Sequence, residues 1–131
     1  APGAPVLVTP GGPLPAAVLY VPAAFPEKNP KTTQALVNAF VRGLKWMRSH
    51  SAADVVKLMP PEWALGNPAI YEKSIEKGLP TYSPDGRFSG GGPDNALKVL
   101  KEFDPSVQKA SIDLSKTYTN AFVEKALATV K

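Results

Sequence analysis

The chain has 131 residues, of which 44% are hydrophobic and 20% charged, and its formal net charge at pH 7 is +4. This composition is typical of a soluble globular protein of at most one ordinary domain and argues against a disordered chain. The sequence contains no cysteine, which excludes disulfides and thiolate metal sites. The basic excess lies on one predicted helix and forms no arginine-rich patch, so a nucleic-acid partner is not expected.

The first part of the chain, residues 1–15, is rich in proline and glycine around Thr9-Pro10-Gly11-Gly12-Pro13. Proline favours extended backbone, and glycine permits positive φ or the close approach of a ligand. The segment is predicted to be either a flexible leader or an extended crossing between two lobes. The first 26 residues carry no charged side chain and many prolines, which argues against a signal peptide, so any export signal is expected upstream.

Residues 14–21 form a short apolar run bounded by prolines, a pattern typical of a strand that is covered on both faces. We therefore predict an α/β protein that is mostly helical and has one main strand at Val18–Val21. A lone strand leaves buried N–H and C=O groups unpaired, which is costly. Its partner strands must then come from elsewhere, as they would if this chain were the end of a larger α/β protein.

The remainder of the sequence predicts about five helices. Asn29-Pro30 and Asn67-Pro68 are typical helix starts, and Ser51 followed by Asp54 resembles a capping box. Apolar residues recur at three- and four-residue spacings, which predicts that the following side chains are buried together: Leu36, Phe40, Leu44, Ile75, Leu97, Leu100 and Phe122.

No set of residues in the sequence indicates catalysis or metal binding. The only histidine, His50, lies at a predicted helix end, where a capping or solvated role is the better interpretation. The glycine-rich stretch at residues 89–92 lacks the lysine of a phosphate-binding loop and is interpreted as a flexible loop. Arg87 could hold an anion bidentately, but its place in an Asp-Gly-Arg turn favours solvent exposure. We expect neither an enzyme nor a bound cofactor.

Several motifs, in this order, resemble one family of transport proteins. They are the strand at Val18–Val21, Phe25-Pro26-Glu27-Lys28-Asn29-Pro30, the helix from Ala35, Pro60-Pro61-Glu62-Trp63, Ser83-Pro84-Asp85-Gly86-Arg87, and the run from Ile112 to Val123. Together they resemble the C-terminal part of ABC-transporter substrate-binding proteins of the nitrate/sulfonate/taurine and thiamine-precursor group. The resemblance covers residues 9–131.

The resemblance implies a two-lobed, periplasmic-binding-protein-like (type II) α/β fold that is longer than this chain, with the ligand between the lobes. Within residues 1–15, Thr9–Pro15 would then be the crossing segment, and residues 16–131 would be the C-terminal part of one lobe. The implied function is reversible binding of a small organic or anionic ligand for an ABC importer, with the permease subunits as partners. The implied location is periplasmic or extracytoplasmic, in soluble or lipid-anchored form. The candidate ligand-binding residues are Thr9, Gly11, Gly12, Trp63, Tyr82 and Phe88.

An alternative function belongs to a different class. The chain could be an autonomous helical interaction module that self-associates through its strand and its exposed apolar surface. Either interpretation requires a partner for the strand, so we expect a homo-oligomer or pairing with a missing N-terminal part. In both cases the isolated chain is expected to bind small ligands weakly or not at all.

Overall fold

The computed structural model describes residues 14, 15, 17–88 and 90–131. Their helices, in chain order, are α1 (Phe25–Lys28), α2 (Pro30–Arg48), α3 (Ala52–Leu58), α4 (Pro68–Gly78), α5 (Gly92–Phe103), α6 (Pro105–Lys109) and α7 (Ala121–Thr129). Shorter 3₁₀ turns occupy Pro61–Ala64, Leu79–Thr81 and Leu114–Lys116. The described residues form two units: a larger one of residues 21–87 and 120–131, and a smaller one of residues 14, 15, 17–20, 88 and 90–119.

The predicted α/β class with one main strand is wrong for this part of the chain, which is helical and contains no strand. Val18, Leu19 and Tyr20 have neither helical nor strand conformation, and their backbones form no hydrogen bond with another described residue. A strand exists only where a second extended segment completes its ladder. The apolar run predicted the side-chain chemistry of a strand, but no such second segment occurs among the described residues.

All three predicted helix starts are right, and the predicted side-chain cap forms at two of them. Ser51 and Asp54 form the predicted capping box, in which the Ser51 hydroxyl accepts from the Asp54 N–H. The Asn67 side chain accepts from the N–H of Ile70, 3.1 Å away. Asn29, by contrast, makes no such cap, although Pro30 begins α2 as predicted. These starts are local because each depends on residues within one helical turn.

The core of the larger unit lies between α2 and α7. Val41 is 1% exposed and packs with Ala126 and Val130, and three partly buried side chains surround them: Val37, Val123 and Leu127. Polar contacts join the same two helices. The Gln34 side-chain amide donates to the carbonyl of Phe122 at 2.8 Å, and the Lys45 ammonium donates to the carbonyl of Val130. The two helices therefore run parallel, because the contact from the later residue of α2 reaches the later residue of the α7 region.

None of the seven side chains that were predicted to be buried together is fully buried. Leu36, Phe40 and Leu100 are exposed, Phe40 to 58%. The other four members, Leu44, Ile75, Leu97 and Phe122, are half-buried. The short helix α7 covers only the side of α2 that carries Val37 and Val41. Leu36 and Phe40 lie on the flank of α2, where they remain 39% and 58% exposed.

The smaller unit buries little apolar surface. Its only buried residues among those described are Gly92 and Pro93, at the start of α5. The apolar side chains of the last turns of α5 remain in solvent, with Val99 42% and Phe103 76% exposed. The preceding segment also exposes Leu14, Val18, Leu19 and Tyr20. This unit therefore carries apolar faces that the described residues leave uncovered.

Candidate functional site

A cleft of about 230 Å³ opens in the larger unit, where the C-terminal end of α2 meets the 3₁₀ turn after α4. Proline at position 80 ends α4 as a regular helix, and the Leu79–Thr81 turn then leads into Tyr82. The cleft combines an apolar floor with polar groups at its walls. Its lining residues are Leu44, Met47, Arg48, His50, Leu79, Pro80, Tyr82 and Ser83.

His50 is held in one orientation by three contacts, one of which is the Ser49 hydroxyl oxygen, 3.0 Å from its Nδ1. Its ring stacks on Trp46 with centroids 4.0 Å apart and an interplanar angle of 16°. Its Nδ1 lies 2.7 Å from the Trp46 carbonyl oxygen. Because a carbonyl can only accept, Nδ1 carries the proton and donates. The other ring nitrogen, Nε2, has no partner among the described residues and remains available to a ligand.

Arg48 supplies the positive charge of the cleft. Its Nη1 donates to the Pro84 carbonyl at 3.2 Å, which ties the guanidinium to the following loop. Within the part of the chain that the structure describes, the other N–H groups of the guanidinium have no partner. Arg48 is the last residue of α2, so it opposes the negative end of the helix dipole, an effect of about 0.3–1 kcal/mol.

The loop after Tyr82 is fixed by its own hydrogen bonds. Ser83 accepts the Gly86 N–H at 2.8 Å, so its hydroxyl belongs to the turn more than to the cleft. Gly86 has φ of +83°, and a Cβ there would lie 3.3 Å from Leu44. The backbone conformation favours glycine, and a Cβ would in addition require the Leu44 side chain to shift slightly. The loop thereby holds one wall of the cleft against the α2–α7 core.

Arg87 is not available to a ligand. Its Nε and Nη2 donate to the two carboxylate oxygens of Glu124, each at 2.7 Å, and its Nη1 donates to Asp85 at 2.6 Å. These contacts lower the pKa of Glu124, chiefly through the hydrogen bonds from Arg87. The pKa of Asp85 is lowered first by the Arg87 backbone N–H. The predicted solvent exposure is right only in part, since the guanidinium joins the loop to α7.

A second hollow, of about 440 Å³, lies beside α2. It is a more open, apolar groove lined by Ala39, Arg42, Gly43, Trp46 and Leu58. A Cβ at Gly43 would meet nothing within 4 Å. Leu58 is exposed above it. The groove offers apolar contact and one charge, with fewer polar groups to orient a small molecule than the cleft has.

The structure does not bring the predicted ligand-binding residues together. Tyr82, which is 54% exposed, lines the cleft. Trp63 lies in the exposed Pro61–Ala64 turn and does not line it. Phe88 belongs to the smaller unit, where its ring lies 4.8 Å from that of Tyr118. Thr9, Gly11 and Gly12 lie outside the described residues.

Two residues of the cleft were missed as ligand candidates. His50 was interpreted as a capping or solvated residue, and its bond to the Trp46 carbonyl supports the capping role, but its Nε2 was not considered as a ligand contact. Arg48 was counted only as part of a basic helix. The available signal was a cation, a histidine and aromatic residues together at one helix end. That signal is weak, because it does not show that Tyr82 folds back onto the same end.

Two other kinds of site are absent from the described residues. No group of three or more histidine or acidic side chains there could hold a metal ion. None of the described helices is long and apolar enough to cross a membrane.

Comparison with known proteins gives one close structural likeness. No family model and no curated protein matches the chain. A solved structure of a protein from Bordetella bronchiseptica RB50 is similar to it, with a TM-score of 0.76 and 38% sequence identity. The match covers 82% of this chain and 34% of that one. The chain thus spans about a third of the length of the protein that it resembles.

Proposed function

We propose that this chain is part of the solute-binding component of an ABC importer. In that role it would help to hold a small organic or anionic molecule reversibly, for delivery to the permease subunits. The observation that carries the proposal is the cleft, where Arg48, His50 and Tyr82 line a partly apolar hollow. This combination of an apolar surface with a few convergent polar groups is typical of small-molecule binding sites.

Two further observations support the proposal. The ordered motifs from Val18 to Val123 resemble this class of transport proteins over most of the chain. The similar solved protein is about three times as long as the matched region, which covers 34% of it. A longer polypeptide would have room for the remaining ligand contacts. It would also cover the apolar side chains that α5 leaves in solvent. We propose an extracytoplasmic location on the same grounds.

Uptake by cells tests this proposal without assuming where the ligand binds. Deletion of the encoding gene should abolish uptake of at least one small solute at low concentration, and the wild-type gene should restore it. Osmotic shock should release the protein if it is soluble and extracytoplasmic, and detergent should be needed if it is lipid-anchored. Unchanged uptake across a broad panel of solutes, with the protein retained in the cytoplasm, would contradict the proposal.

A second candidate function is an interaction module that self-associates. The observation that favours it is the exposed apolar face of α5, at Val99, Leu100 and Phe103. Such a face is an interaction surface when no part of the same protein covers it. Light scattering of the 131-residue chain separates the two candidates when combined with uptake. A stable oligomer together with unchanged uptake favours the module.

A further inference from the structure

We propose that the cleft binds a small monocarboxylate with an apolar body of about one ring. This inference deepens the proposed function and rests on it. The volume of the cleft limits the size of its ligand, because 230 Å³ lies below the roughly 300–1,000 Å³ of pockets that take drug-sized ligands. A single six-membered ring with one charged substituent suits such a space.

The charge of the ligand follows from the cleft's polar groups. Arg48 is the only lysine, arginine or acidic residue among the lining residues. A guanidinium presents parallel N–H donors that match the two oxygens of a carboxylate. One guanidinium neutralises the charge of a monoanion but only half the charge of a doubly charged phosphate. The nearby arginine, Arg87, is already occupied by Glu124 and Asp85.

The end of α2 would ordinarily repel an anion, since its last carbonyls point out of the helix. Here the Trp46 carbonyl accepts from the Ser49 hydroxyl at 2.9 Å and from His50 Nδ1 at 2.7 Å. These bonds occupy the carbonyl oxygen that lies beside His50. The C-terminal end of α2 therefore repels a carboxylate less strongly than an uncapped helix end would.

Apolar side chains of the cleft provide packing contacts for the apolar body of the ligand. Leu44 and Met47 project from the last turns of α2, and Leu79 and Pro80 come from the facing turn. Tyr82 adds an aromatic ring that is half open to solvent. Aromatic rings pack well against such a wall in offset or edge-to-face geometry. A benzoate-like molecule would place its ring here and its carboxylate at Arg48.

All the residues that line the cleft belong to these 131 residues, so the sequence-based expectation of weak or no binding by the isolated chain is replaced here by weak binding. The test is an NMR titration of the 131-residue protein with sodium benzoate in the millimolar range. His50 is the only histidine, so its ring signals need no further assignment, and they report directly on the cleft. Benzoate should shift them saturably, and benzyl alcohol, which has the same ring without the charge, should bind at least about tenfold more weakly. Arg48→Gln should weaken benzoate binding at least about tenfold as well. Arg42→Gln, on the same helix but in the apolar groove, should leave it unchanged.

The outcomes separate this inference from the proposed function. Equal binding of benzoate and benzyl alcohol would overturn the carboxylate assignment while leaving a small-molecule site in place. An unchanged benzoate affinity in a folded Arg48→Gln protein would overturn the role of Arg48. No saturable shift with either compound would overturn the ligand assignment altogether, and the uptake measurement would still decide the importer proposal independently.

Discussion

Helices α2 and α5 have similar amphipathic patterns but very different surroundings. In the larger unit, α2 packs Val41 against Ala126 and Val130 of the α7 region, and Val41 is 1% exposed. In the smaller unit, α5 leaves Val99 42% and Phe103 76% exposed. An apolar stripe therefore shows that a helix needs a partner, but it does not show that the partner belongs to the same stretch of chain.

The difference bears on function. The larger unit has a core of its own, and Leu44 and Met47, which line the cleft, belong to the same helix α2 that carries Val41. The smaller unit has apolar surface with nothing described to cover it. We infer that the larger unit holds its shape by itself, whereas the smaller unit depends on further protein, as the proposed longer receptor would provide.

The largest expected effect comes from truncating matched valines in the two units. Val41→Ala should lower the free energy of unfolding by about 2 kcal/mol, because it removes two buried methyl groups and leaves a cavity. Val99→Ala, at an exposed position of α5, should change it by about 0.5 kcal/mol or less. Urea denaturation measures both. Equal losses would contradict the contrast between the two units.

The next effect concerns the loop that forms the cleft wall. Gly86→Ala should destabilise the protein by about 1–2 kcal/mol, since φ of +83° strains any residue with a Cβ. Gly43→Ala is the matched control in the same unit. It should stabilise α2 by about 0.5–1 kcal/mol, because the position is helical and open. If both substitutions had the same sign, the geometry assigned to the loop would be wrong.

A smaller effect is expected at the capping box of α3. Ser51→Ala should cost about 1 kcal/mol, whereas Ser74→Ala, on the exposed surface of α4, should cost nothing measurable. The bonds from the Ser51 hydroxyl and N–H lower the pKa of Asp54 from 3.8 to about 2. A lowered pKa in the folded state contributes stability above pH 3.8, and this contribution is lost as the pH falls towards 2.

Thermal unfolding at several pH values checks this linkage. The difference in unfolding midpoint between the wild type and Asp54→Asn should have its largest value at neutral pH and should shrink as the pH falls from 4 towards 2. A difference that stayed constant over that interval would show that the Asp54 carboxylate is not bound by Ser51 in solution.

The smallest expected effect is at the ion pair between the loop and α7. Glu124→Gln should destabilise the larger unit less than Ser51→Ala does, because the pair is solvent-exposed. The loss of stability caused by Glu124→Gln should be smaller still in 1 M salt, where the Debye length is about 3 Å. Denaturation at low and high salt measures it. A loss that did not respond to salt would indicate packing rather than charge.

Much of the fold could be predicted because its signals are local. The Ser51–Asp54 box and the Asn67 cap each depend on residues within one turn, and the apolar periodicity of α2 and α5 predicted their helices. The strand at Val18–Val21 was wrong because a strand depends on a distant partner. The burial of Phe40 was wrong for a related reason: the pattern identifies an apolar flank, not what covers it.

The candidate site was harder to predict. Tyr82 was recognised as an aromatic residue in a long loop, a common position for ligand contacts. Its neighbours Arg48 and His50 come from the end of α2, and only the turn after α4 brings them together with it. Such a meeting depends on tertiary packing, which neither composition nor spacing encodes in a single sequence.

Amide hydrogen exchange tests the contrast between the two units most directly. In the 131-residue chain, the amides of α2 and α7 around Val41 and Ala126 should exchange only through global unfolding, as buried core helices do. The amides of α5 should exchange much faster, through local opening. If α5 were as strongly protected as α2, the smaller unit would be stable without further protein and the account would be contradicted.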